Sequence, residues 1–152
     1  MNLLFKIILL AGIVALPLAN LGAESEKPSG EKIHKVVFEV ASDGAEKWEG
    51  ALRNVENLQK SFGAKATKIE VVTHGKGIGM LLAKTAEANP ELKLTLEKLH
   101  PSGVVFAACE NTMKKMSVTK DQLIPLATTV DSGVSEIIRK QEAGYAYLKS
   151  GG

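Results

Sequence analysis

Four short runs of β-branched and apolar residues alternate with stretches whose apolar residues recur every three or four positions. The runs are His34–Val40 (HKVVFEV), Lys68–Thr73 (KIEVVT), Val104–Ala108 (VVFAA) and Leu126–Val130 (LATTV). Each has the length and composition of a strand, and the wholly apolar VVFAA suits one buried on both faces. After the first run, Trp48, Leu52, Val55, Leu58 and Phe62 fall on one helical face. Asp43 and Glu46 stand at capping-box spacing before it, and Gly63 is a natural stop. After the second run comes an apolar helical turn, Met80–Ala83. Asn89-Pro90 then opens a helix that Pro101 and Gly103 close. A short helix carries Met113 and Met116, and Thr119 with Gln122 makes a second capping pair. Ser132 caps a last helix, with Val134, Ile137, Ile138, Gln141 and Tyr145 along one face. Strands separated by helices pair in parallel, so the fold class is α/β, a mostly parallel sheet with helices on both faces. Four strands are few for such a sheet, and an edge covered by another subunit is expected.

Composition narrows the class further. The chain has 152 residues, 45% of them hydrophobic and 24% charged, which suits one globular domain and excludes a disordered chain or a polytopic membrane protein. With 19 basic against 17 acidic residues the net charge is only +2, so no nucleic-acid partner is expected. Residues 1–23 read as a secretory signal peptide: Lys6, an apolar run from Ile7 to Leu18, then Leu21-Gly22-Ala23 before a cut. The run falls short of the roughly 20 apolar residues of a membrane span, although an uncleaved anchor is the alternative. Residues 24–32 read as a flexible leader and residues 33–152 as the folded domain. The expected location is periplasmic or secreted, with no stable membrane insertion after cleavage.

A single cysteine, Cys109, excludes an intrachain disulfide. An odd thiol in an exported chain suggests a reactive role or an intermolecular partner, against a packed small hydrophobe. In an open parallel sheet, ligands bind beyond the carboxyl ends of the strands. That rim gathers Ala41-Ser42-Asp43, His74 with its glycines, Cys109-Glu110-Asn111 and Asp131-Ser132. At a strand-to-helix junction, the first helical N–H groups, those of Asn111 or Thr112, favour the thiolate of Cys109. Lys114 and Lys115 would help if they face the rim, whereas Glu110 beside the thiol would raise its pKa. His74 is a candidate proton donor or acceptor, against a simple backbone-bonded strand end. Gly75, Gly77 and Gly79 suggest a loop that shapes the site. They lack the spacing of a nucleotide fingerprint, and a tight turn is the plainer reading. Cys109, Met113 and Met116 would put three soft copper ligands on one helical face, unless the methionines fill the core. There is no nucleophile elbow, no H-E-x-x-H and no cysteine pair, so no resident metal or cofactor is expected.

The stretches HKVVFEVASDGAEKWEGALRNVENL, VVTHGKGIGMLL, VVFAACENTMKK and IIRKQEAGYAYLK span most of residues 33–149. In them the chain resembles the DsrE/DsrF-like family of small sulfur-relay-type proteins. The resemblance implies a flavodoxin-like, three-layer α/β sandwich that assembles into trimers or hexamers. It also implies that Cys109 accepts a persulfide from a sulfur-donor protein and passes it to an acceptor. The expected function is therefore exported sulfane-sulfur binding or transfer through Cys109, by a carrier rather than a turnover enzyme. His74, the Gly75–Gly79 loop, Asn111 and Thr112 would form its surroundings. A non-catalytic, oligomeric small-ligand module and a Cu(I) binder are the alternatives.

Overall fold

The computed structural model describes residues 32–150. The signal peptide assigned to residues 1–23 and the leader up to residue 31 lie outside the described residues, as do residues 151–152. The elements run β1 (His34–Val40), α1 (Ala45–Phe62), β2 (Thr67–Thr73), α2 (Ala83–Ala88), α3 (Pro90–Leu99), β3 (Val104–Cys109), α4 (Glu110–Lys115), β4 (Ala127–Val130), α5 (Gly133–Glu142) and β5 (Ala146–Ser150). Short 3-10 turns occupy Ala64–Ala66, Gly75–Leu81 and Lys120–Gln122. The sheet order is β4-β3-β2-β1-β5, with every pair parallel.

Strand order and handedness together fix which face each helix covers. From β1 through β4 the chain always steps the same way, so right-handed crossovers put α1 to α4 on one face. From β4 it returns across the whole sheet to β5, and the same handedness sends α5 to the other face. The core follows this division. Val36, Phe38, Val40, Ile69, Val71, Val104, Phe106 and Ala108 pack against α1, α2, α3 and α4. The alternate positions Val37, Val72 and Ala107 pack against Ile137 of α5, as the period of two in a strand requires.

The fifth strand differs from the sequence expectation. The segment after Gly144 turns from helix to strand, and β5 pairs with β1 from Val36–Ala146 to Val40–Ser150. The edge of β1 is thus covered by the chain's own last element.

Two helix readings also change. Asp43 does not cap α1, because its carboxylate accepts from the N–H of Gly44 and the helix begins one residue later, behind Gly44 at φ 108°. On α5, Ile137 is buried but Val134 and Ile138 point to solvent. The helix ends at Glu142, so Tyr145 belongs to the turn after it. The other caps form as read: Asn89 accepts from Leu92 N–H at 3.1 Å and Ser132 from Ser135 N–H at 3.4 Å. Thr119 and Gln122 form their box around a 3-10 turn. Among the described residues, no helix is long and apolar enough to cross a membrane.

Candidate functional site

The connections after β3 and β4 leave toward opposite faces, so the crevice of this sheet opens between these neighbouring strands. Cys109 is the last residue of β3 and the N-cap of α4. Its Sγ takes the acceptor role that a serine or aspartate oxygen usually fills, receiving the Thr112 N–H at 3.4 Å. A second helix, α5, begins against it. A Cβ placed on Gly133 would stand 3.3 Å from the Cβ of Cys109 and 3.2 Å from that of His74. Glycine lets the start of α5 settle this closely on both residues, where a side chain would be crowded.

Burial leaves Cys109 4% exposed and pushes its thiol pKa up. The Gly133 N–H, the Thr112 hydroxyl and N–H, and the Asn111 N–H overcome that cost, and the thiol ends below its ordinary value. The Thr112 hydroxyl accepts from the Gly75 N–H at 3.0 Å, which frees its own hydrogen for Sγ. The Glu110 side chain is bonded to other partners. Its carboxylate accepts from Thr129 Oγ1 at 2.8 Å and pairs with Lys120 at 3.3 Å, contacts that hold it below the usual carboxylate range.

His74 directly follows β2, and its N–H donates to Val40 O at 3.1 Å. The register that pairs Thr73 with Ala108 carries on to set His74 beside Cys109. Its Nε2 lies 2.7 Å from Oε1 of Glu39 on β1. Tyr147 on β5 donates its hydroxyl to the other oxygen of that carboxylate. Burial pushes Glu39 up, but the bonds from Tyr147 and His74 outweigh it and hold the carboxyl below its ordinary value. The same bond holds the Tyr147 phenol protonated, its pKa pushed up to about 12. Tyr147, Glu39, His74 and Cys109 thus form a row along the sheet rim, on the face that α5 covers.

The glycine loop divides. Gly75, at φ 52°, reaches the site through Thr112. Gly77 does not offer its N–H to a ligand, because that group points at Ala41 O (3.1 Å) and His74 O (3.0 Å). A Cβ there would fall 2.0 Å from Val40 O. At Gly79 a Cβ would fall 2.9 Å from the Trp48 ring. Gly77 and Gly79 therefore shape the loop by close packing. The proposed soft-ligand face does not form either. Met113 is in the core on the α1 side, Met116 is exposed, and Cys109 alternates to the α5 side. Among the described residues, no group of three His, Cys, Asp or Glu side chains could hold a metal.

Glu39, Tyr147 and Gly133 were not singled out from the sequence. Glu39 carried one signal, a lone charge near the carboxyl end of an otherwise apolar strand. Tyr147 lies in an edge strand with no local periodicity to mark it, and Gly133 occupies an ordinary first position of a helix.

Comparison with protein families finds a match to the DsrE/DsrF-like family over residues 35–150. A comparison with curated proteins finds no match. Among solved structures, the chain is similar to the protein of unknown function MTH1491 from Methanobacterium thermoautotrophicum, at 30% identity and a TM-score of 0.68, covering 76% of this chain and 98% of that one. It is also similar in fold to the ychN protein of E. coli, at 14% identity and a TM-score of 0.60, covering 78% and 98% of the two chains.

Proposed function

The chain belongs to the DsrE/DsrF-like family, and from that premise we propose that it carries sulfane sulfur as a persulfide on Cys109, in an exported protein built of several copies. The observation that carries this reading is the thiol itself. It sits at the sheet crevice, lowered in pKa by donors from Gly133, Thr112 and Asn111 that come from two different helix starts. The thiolate is the form that attacks sulfane sulfur.

In the loading step the Cys109 thiolate attacks the outer sulfur of a donor persulfide, R–S–S⁻. A new S–S bond forms at Sγ as the donor's S–S bond breaks. The donor sulfur departs with the electron pair of that bond, so one sulfur atom moves and no external oxidant is needed. Unloading is the same exchange with an acceptor thiolate, and Cys109 is then the leaving group. A leaving thiol of lowered pKa departs faster, so the donors around Sγ serve both directions. Near-complete burial restricts entry to the end of a narrow donor and shields the persulfide from bulk oxidant.

Two supporting features lie elsewhere. The apolar run from Ile7 to Leu18 supports export. The uncovered apolar side chains of α5 and its sheet face, Val134, Ile138 and Val105, support packing by a second copy of the chain.

The test is intact mass after anaerobic incubation with a small-molecule persulfide, wild type against Cys109→Ser. A gain of one sulfur that reductant reverses and the variant lacks is the expected result. No adduct, with a thiol that resists alkylation until the protein is unfolded, would reduce Cys109 to a packing residue.

A further inference from the structure

Three strands contribute one bonded chain beside the thiol, and sulfur carriage by Cys109 alone does not account for it. Tyr147 of β5 donates to Glu39 of β1, and Glu39 accepts from Nε2 of His74 at 2.7 Å. His74 in turn shares the Gly133 backbone with Cys109. Both carboxylate oxygens of Glu39 are therefore committed, and the side chain lies mostly buried on the face under α5. A buried carboxylate with both oxygens bonded is a rigid acceptor. It fixes the neighbouring imidazole in orientation and tautomer, because a nitrogen facing a carboxylate must carry the hydrogen.

We infer that Glu39 and Tyr147 are positioning residues that lock His74 with its proton on Nε2, so that Nδ1 is the nitrogen that exchanges a proton during chemistry at Cys109. The inference rests on the reading of Cys109 as the sulfur carrier and extends it to proton handling. Nδ1 takes the proton of the Cys109 thiol before attack. When the donor's S–S bond breaks, the same proton passes to the departing RS⁻, which leaves as RSH. Sγ gains the sulfur, His74 returns to neutral, and nothing else is consumed. Without that proton the donor departs as a bare thiolate beside a newly formed persulfide anion, and like charges at one rim disfavour the forward step. The resting structure has no hydrogen bond between His74 and Cys109, and the bridge forms once a donor sulfur occupies the crevice, as general acid–base contacts commonly tighten on binding.

The other charges near His74 are accounted for. Lys149 of β5 acts on Glu39. On α5, Arg139 bonds Asp131 and Glu136, while Lys140 bonds Glu70 and Glu136. These groups do not compete for the imidazole.

The experiment uses the described chain in wild-type form and as Glu39→Gln, Tyr147→Phe, His74→Gln and the Glu39→Gln/His74→Gln double variant, each checked for an unchanged melting transition. Sulfur loading of Cys109 from a small persulfide is followed by mass across pH. Glu39→Gln is expected to slow loading about 10-fold or more and to remove the same pH limb as His74→Gln. The double variant should be no slower than His74→Gln alone, because Glu39 acts through the histidine. Tyr147→Phe, the mildest change, should give a smaller loss of the same shape. Superimposed rates and profiles, or additive losses in the double variant, would overturn the inference. Should the wild type take no sulfur at all, the carrier reading falls and the positioning is read on its own. Nitrogen-15 shifts of His74 are expected to report the Nε2–H tautomer in the wild type and a mixture in Glu39→Gln. A wild-type ring protonated on Nδ1, or a tautomer indifferent to Glu39→Gln, sinks it.

Discussion

At the scale of single residues, one thiol acts as a helix cap and one glycine decides whether its loop can exist. Thr112 gives Cys109 both a backbone N–H and a hydroxyl. Thr112→Val removes only the hydroxyl, so the thiol pKa should rise and the pH midpoint of iodoacetamide alkylation should move up, while Thr112→Ser stays near wild type. Stability should fall by about 1 kcal/mol, the usual worth of such a bond. The loop glycines separate conformation from space. Gly75 needs only a left-handed φ of 52°, and its nearest neighbour for a Cβ is Ala41 O at 3.5 Å. Gly75→Ala should therefore cost about 1–2 kcal/mol. Gly77 has no spare room, since a Cβ would sit 2.0 Å from a backbone oxygen that cannot swing away. Gly77→Ala should cost more than about 3 kcal/mol, at the far end of single-residue effects. Urea unfolding of the two variants side by side checks the ordering, and equal losses would mean the loop yields.

The elements show what a local pattern can and cannot carry. β1 was legible to the residue because HKVVFEV is β-branched, apolar and bounded by turn residues. The cap of α3 was legible because Asn-Pro allows little else. The strand-to-helix junction at Cys109 was legible for a related reason, since a wholly apolar strand is followed at once by the polar Glu-Asn-Thr. β5 was hidden because Ala146–Ser150 is mostly exposed at the sheet edge and its single strand partner is β1. No local periodicity marks such a strand. Losing it also hid Tyr147, and with it the bond to Glu39. The docking of α5 involves a further nonlocal pair, Glu70 of β2 with Lys140. Burial pushes the Glu70 carboxyl up, and Lys140 only partly pulls it back. A carboxyl raised in the folded state contributes stability at low pH that is lost as pH rises through its folded value. Lys140→Met removes the opposing ammonium and raises Glu70 further. The variant's deficit relative to wild type should therefore grow as the solution is brought from about pH 5 to about pH 8. With Lys140 still 24% exposed, the loss near neutral pH should be about 1–3 kcal/mol, below that of a fully buried pair. Glu70→Gln in the same background should restore most of it. A deficit that is constant with pH would place the effect in lost packing.

For the whole molecule, the two faces of the sheet are covered unequally. Among the described residues, four helices pack one face, whereas α5 alone crosses the other. The consequence is visible at Val134, Ile138 and Val105, which are 58%, 51% and 39% exposed. Val134 and Ile138 lie one turn apart on the outer side of α5, so they form a stripe and not scattered residues. The apolar spacing along α5 marks one helical face, and spacing alone cannot distinguish a core from an interface. If a second copy covers this stripe, Val134→Glu and Ile138→Glu should convert the assembly to monomers in sedimentation velocity. Monomer stability should move by no more than about 0.5 kcal/mol, since neither side chain is in the core. A wild type that sediments as a monomer at working concentration would leave the stripe without the partner proposed for it. The same variants also test the site. Val134 follows Gly133, the residue that touches both His74 and Cys109, so an assembly through α5 borders the entrance to the thiol. Sulfur loading in a monomeric variant at the wild-type rate would mean that one chain holds the complete site and that assembly serves partner choice or shielding. A loss of loading with an intact melting transition would make the covering copy part of the entrance itself.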